Sequence, residues 1–175
     1  MTKDNIILVG MMGAGKTSIG KELVKKLPDY IFIDIDEAIE KKTGITISEI
    51  FAKYSEDYFR DLETQIIKEI CKSKKQVIST GGGAFEKEIN RKVLLNSGKV
   101  FYLYAPTEVL YDRIKEQSNR PLLACNEPVK KVKNLLEVRD INYRKSNYII
   151  DTTNLDIETA VNEILRRANE TFNIS

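Results

Sequence analysis

Five short apolar runs punctuate the chain, and helical patterns separate them. The runs are Ile6-Ile7-Leu8-Val9, Tyr30-Ile31-Phe32-Ile33, Val77-Ile78-Ser79, Val100-Phe101-Tyr102-Leu103 and Tyr148-Ile149-Ile150. They are rich in β-branched and aromatic residues, which predicts strands covered on both faces. After the first run, Ile19, Leu23 and Leu27 recur every four residues with Val24 beside them, the mark of a helix with one buried face. Thr46-Ile47-Ser48-Glu49 has the form of a capping box and predicts a helix start. From Glu56 to Lys72 a second stripe runs through Phe59, Leu62, Ile66 and Ile70. A further helix contains Leu135, Leu136 and Tyr143. The last follows Asp156 as N-cap and carries Ile157, Ala160, Val161, Ile164 and Leu165 on one face. Alternating strands and helices predict an α/β fold, a five-stranded parallel sheet between helical layers. No linker, repeat or low-complexity stretch interrupts the pattern, so residues 1–175 are expected to form a single domain.

Composition narrows the function classes. The net charge is +2 and the lysines are scattered, so neither a basic patch nor an aromatic platform for nucleic acid stands out. No apolar run approaches the roughly 20 residues that a membrane span needs. Met1-Thr2-Lys3-Asp4-Asn5 leads straight into the first strand and leaves no room for a signal peptide, so a cytoplasmic location is expected. The chain has no histidine, which excludes serine–histidine catalysis and histidine-ligated zinc. Cys71 and Cys125 have no metal-ligand spacing and are expected to be free thiols in a reducing compartment. No exposed apolar stripe is evident, which makes a monomer the default.

The chemistry starts at Gly10-Met11-Met12-Gly13-Ala14-Gly15-Lys16-Thr17, which fits the phosphate-loop pattern G-x-x-x-x-G-K-[ST] between a strand and a helix. Backbone N–H groups and the helix dipole make such a turn an anion site. Lys16 would reach the β- and γ-phosphates, and the Thr17 hydroxyl would sit on Mg²⁺. Next comes Ile33-Asp34-Ile35-Asp36 at the C-terminal end of the second strand, the sheet edge where ligands bind. In a strand continuing to Asp36, both carboxylates share one face. They suit the Mg²⁺ shell and the acceptor hydroxyl of a phosphoryl transfer, although Asp36 as a plain helix cap remains an alternative.

Gly81-Gly82-Gly83 follows the third strand and suits a ligand that lies against bare backbone, or simply a sharp loop. Arg60 has Glu63 one turn on to hold it. Arg120 lies in an aperiodic stretch from Lys115 to Pro128 with the profile of a surface loop, either a closing lid or an ordinary connection. Arg139 shares a helix with Tyr143. Arginine offers a planar fork to carboxylate or phosphate, but a lone helix arginine is usually a surface residue.

Taken in order, the phosphate loop, Asp34-Ile35-Asp36, Phe59-Arg60-Asp61-Leu62-Glu63, Gly81-Gly82-Gly83, Asn119-Arg120-Pro121-Leu122-Leu123, and Arg139 with Tyr143 cover nearly the whole chain. In this set the chain resembles the shikimate kinase family. The resemblance implies a sheet of strand order 2-3-1-4-5, a lid at about residues 114–127 and a helical substrate-binding region. It implies ATP- and Mg²⁺-dependent phosphorylation of the shikimate 3-hydroxyl, on the route to aromatic amino acids. Nucleotide contacts would come from Gly13, Ala14, Gly15, Lys16, Thr17, Ser18, Arg113 and Arg120, with Arg113 against adenine. One Mg²⁺ would be held by Thr17 and Asp34. Asp36 would hold the acceptor hydroxyl as its base, and Lys16 and Arg120 would stabilise the transferring phosphate. Arg60 and Arg139 would grip the shikimate carboxylate, and Gly81, Gly82 and Gly83 would face the ring. Family members often supply an arginine and a proline to the adenine pocket after the last strand. Asp151-Thr152-Thr153-Asn154-Leu155-Asp156-Ile157 has neither, so contacts there are expected to be backbone or apolar.

Overall fold

In the computed structural model, which describes residues 4–115 and 127–170, five parallel strands form one sheet of order β2-β3-β1-β4-β5. The strands are β1 (Asn5–Val9), β2 (Ile31–Asp34), β3 (Gln76–Ser79), β4 (Gly98–Tyr104) and β5 (Tyr148–Asp151). The described helices are α1 (Lys16–Lys26), α2 (Ile35–Thr43), α3 (Ile47–Lys53), α4 (Glu56–Ile70), α5 (Glu88–Ser97), α6 (Thr107–Ile114), α7 (Pro128–Tyr143) and α8 (Ile157–Glu170). The fold is a three-layer α/β/α arrangement with strands in the expected order.

The apolar runs explain the sheet. β1 is buried along its whole length and pairs in parallel with both β3 and β4. The two edge strands, β2 and β5, are the exceptions to full coverage, and Ile31 of β2 stays 61% exposed. The capping box at Thr46 forms as expected: its hydroxyl accepts from the Glu49 N–H, and the Glu49 carboxylate accepts from the Thr46 N–H. Helices α5 and α6 lie in stretches for which no helix was expected.

The topology places the site. β1 lies at the centre, with β3 on one side and β4 on the other, so the chain leaves the sheet in opposite directions around it. Ligands of open α/β sheets bind at the carboxyl ends of the strands beside such a reversal. The phosphate loop follows β1, the acid pair follows β2 and the triple glycine follows β3.

Candidate active site

The loop after β1 takes its shape from three glycines with positive φ, Gly10, Gly13 and Gly15. Gly15 is the N-cap of α1 with φ 88° and offers no capping side chain. The first-turn N–H groups of α1 are thus left to an incoming anion. Gly13, at φ 79°, lies so close to α6 that a Cβ would come within 2.7 Å of the Leu110 carbonyl oxygen. Lys16 curls over the loop and donates to the carbonyl oxygens of Gly10 (2.7 Å) and Met11 (2.9 Å).

The acid pair is built differently from the expectation. The strand stops at Asp34 and α2 begins at Ile35, so strand alternation does not align the two carboxylates. Asp34, not Asp36, is the helix cap. Its Oδ1 accepts from the Asp36 N–H at 3.0 Å, while its Oδ2 accepts from the Thr17 hydroxyl at 3.1 Å. One carboxylate therefore ties the phosphate loop to the start of α2, and Asp36 projects from the first helical turn.

Asp36 is the most perturbed carboxyl of the site. Burial, and then the neighbouring Asp34 charge, push its pKa up to about 6, against the pull of Lys16 and Arg60. Its Oδ1 is buried and accepts no hydrogen bond. Glu63 repeats the pattern. It is fully buried, its Oε2 accepts from Arg60 at 3.0 Å, and its Oε1 has no donor. Burial raises the Glu63 pKa, Arg60 opposes the shift and the Asp36 charge adds to it. Arg60 also donates to Glu56 at 3.2 Å.

The triple glycine makes room for side chains. None of the three has a positive φ, so backbone conformation does not demand glycine there. Space does. A Cβ on Gly81 would lie 2.8 Å from Asp36 Oδ1 and 3.2 Å from Glu63 Oε1. On Gly82 it would meet Arg139 Nη1 at 3.1 Å, and on Gly83 both Arg60 Nη atoms at 2.5 Å. Gly81 thus seats both acids of the site, and Gly82 and Gly83 one arginine each.

Arg139 reaches this loop from α7. Its Nε donates to the Glu86 carboxylate, and its Nη1 lies 3.9 Å from Met11 Sδ. The Tyr143 hydroxyl, one turn on, donates to the Gly82 carbonyl. From behind, Tyr102 of β4 donates to Asp140 at 2.8 Å, which pins α7 to the sheet. At the other end of the cleft, Arg113 donates to the Thr152 hydroxyl (3.2 Å) and carbonyl (2.6 Å) and to the Gly13 carbonyl (3.4 Å). Leu155, Ile157 and Ala160 line that end.

One continuous cleft therefore gathers Gly13, Ala14, Gly15, Lys16, Thr17, Ser18, Asp34, Asp36, Arg60, Gly81, Gly82, Gly83, Arg113 and Arg139. Arg120 and Cys125 fall outside the described residues, as does nearly all of the expected lid. Sequence reasoning missed Glu86 and Thr152. Glu86 carries no motif signal, and Thr152 is recognisable only from the side chain it meets across the sheet.

The family model described as "Shikimate kinase" matches residues 12–169. The shikimate kinase of Thermodesulfovibrio yellowstonii is 46% identical over 162 residues, 93% of either chain. That of Acinetobacter baumannii strain AYE is 45% identical over 152 residues, 86% of this chain and 84% of the relative. A solved structure, the shikimate kinase from Acinetobacter baumannii in complex with shikimate, superposes with a TM-score of 0.91 at 39% identity. It covers 99% of this chain and 97% of its own. Similarity of this degree runs from the phosphate loop to the last helix, and the chain belongs to the shikimate kinase family.

Proposed function

We propose that this chain transfers the γ-phosphoryl group of ATP to the 3-hydroxyl of shikimate, with Asp36 as the acceptor base. The observation that carries this reading is the placement of Asp36. Its side chain lines the cleft close enough to Lys16 of the phosphate loop and to Arg60 to feel both charges, where an acceptor hydroxyl is wanted. Its raised pKa suits a base working near neutrality. Arg60 and Arg139 then hold the shikimate carboxylate and fix which ring hydroxyl meets Asp36. As the new O–P bond forms, the hydroxyl proton passes to Asp36 and the bond to ADP breaks.

Charge control falls to the phosphate loop. Phosphoryl transfer is mostly positioning and electrostatic stabilisation. The α1 N-terminus takes the β-phosphate, and Lys16 moves from the loop carbonyls to the γ-phosphate. The Thr17 hydroxyl and the Asp34 carboxylate form an all-oxygen pair that suits a hard divalent ion. Mg²⁺ held there would neutralise phosphate charge. The adenine ring lies at the Arg113 end, against Leu155 and Ile157. Arg120 acts on the transferring phosphate, as the family resemblance implies.

Gly83→Ala separates substrate grip from chemistry. The added methyl displaces the Arg60 guanidinium, so the KM for shikimate is expected to rise roughly tenfold or more, the cost of one charge-assisted hydrogen bond. The KM for ATP should hold. Steady-state kinetics with either substrate varied measure both.

The function itself is tested by ADP release with ATP and Mg²⁺, using shikimate, gluconate or no acceptor. Turnover with shikimate alone is expected. Turnover only with gluconate would keep the phosphate loop and discard the arginine–glycine grip.

A further inference from the structure

Arg139 arrives at the substrate pocket already paired. Its Nε edge is taken by Glu86, a residue of the loop that continues from the three glycines. The two partners differ in freedom. The Arg139 side chain is 12% exposed, whereas that of Glu86 is 37% exposed. The Glu86 backbone is fixed, because Arg91 donates to the carbonyls of both Phe85 and Glu86, and the Asn90 amide donates to Ala84. Its carboxylate is not fixed in that way, and it can rotate into solvent without the loop moving. A second carboxylate on Arg139 lies close to this charge and shares the guanidinium with it. Of the two acids on Arg60, Glu56 is as free to turn outward, whereas Glu63 is fully buried and has no such exit.

We propose that Glu86 is an internal competitor that sets the affinity of the carboxylate subsite: it holds the Nε edge of Arg139, and a substrate carboxylate that takes this edge displaces it. The inference rests on the reading that Arg139 grips that carboxylate. An internal carboxylate in this position weakens every anion at the subsite by a similar factor. A ligand that also satisfies Asp36 and Arg60 affords the loss. A plain carboxylate with nothing but its charge does not, so the pocket is kept clear of small cellular acids.

The experiment is calorimetric titration of shikimate and of benzoate into the full chain, the Glu86→Gln variant and the Arg139→Ala variant, at low salt. Glu86→Gln is expected to tighten both ligands about two- to fivefold, the scale of an exposed ion pair. Glu88→Gln, on the exposed first turn of α5, should change neither and controls for net charge. In an Arg139→Ala background, Glu86→Gln should have no effect. Weaker or unchanged shikimate binding in Glu86→Gln overturns the proposal, the weaker case making Glu86 a brace for the arginine. The same tightening without Arg139 also overturns it, as a general field effect. If Arg139→Ala leaves shikimate binding unchanged, the carboxylate reading of Arg139 falls first and the proposal with it. Thermal melts of each variant confirm the fold.

Discussion

Asp36→Asn is expected to lower kcat by about 10²–10⁴, the range of a positioned general base. The same substitution should raise stability. Burial lifts the Asp36 pKa from 3.8 to about 6, so the folded state holds its proton more tightly than the unfolded chain does. For an acid shifted upward, the favourable contribution is present below the unfolded value and lost as pH rises through about 6. At neutral pH the ionised carboxylate therefore costs stability, on the order of 3 kcal/mol. Asparagine removes that cost, and a melt at pH 7.5 should show the variant more stable than the parent, by a smaller margin at pH 4. The pH profile gives a further check. Below pH 6 the parent should lose kcat/KM as Asp36 protonates. A variant with near-normal kcat, or a parent without that limb, would end the role of Asp36 as base.

Lys16→Met is the second large effect. Removing one preorganised cation from the transferring phosphate is expected to reduce kcat by roughly 10²–10³. Shikimate affinity should change little, because the arginines and Asp36 stay in place. Lys16 also holds the Asp36 pKa down, so the acid limb of the residual activity should move above pH 6. A kcat within a few-fold of the parent would assign the phosphate charge elsewhere.

Much of this site was legible because its signals are local. A glycine loop between an apolar run and a helical stripe fixes an anion site from a dozen residues, and Gly10–Thr17 is such a case. The strands were legible for the same reason, being short and apolar. Other features depend on groups far apart in sequence. Asp34 and Asp36 were found, but strand alternation was the wrong reason: Asp34 ends the strand by capping α2, so the pair meets through a backbone hydrogen bond. The three glycines were found too, yet their purpose lies in the side chains packed against them. Helix α5 was not read from the sequence although Ile89, Val93 and Leu94 have helical spacing; its buried Asn90, satisfied by the Ala84 carbonyl, breaks the apolar face. Helix α6 has only eight residues, shorter than the window over which a period can be read. Glu86 belongs to no motif, and its partner Arg139 lies on a distant helix.

The Arg113 bridge has a consequence for nucleotide exchange. Its guanidinium spans from the Gly13 carbonyl to Thr152, so the two walls of the nucleotide cleft are stitched together by the protein's own bonds. If this end holds adenine, as proposed above, ATP and ADP pass the same bridge, and loosening it at Thr152 is expected to alter the residence of both alike, whatever the state of the third phosphate.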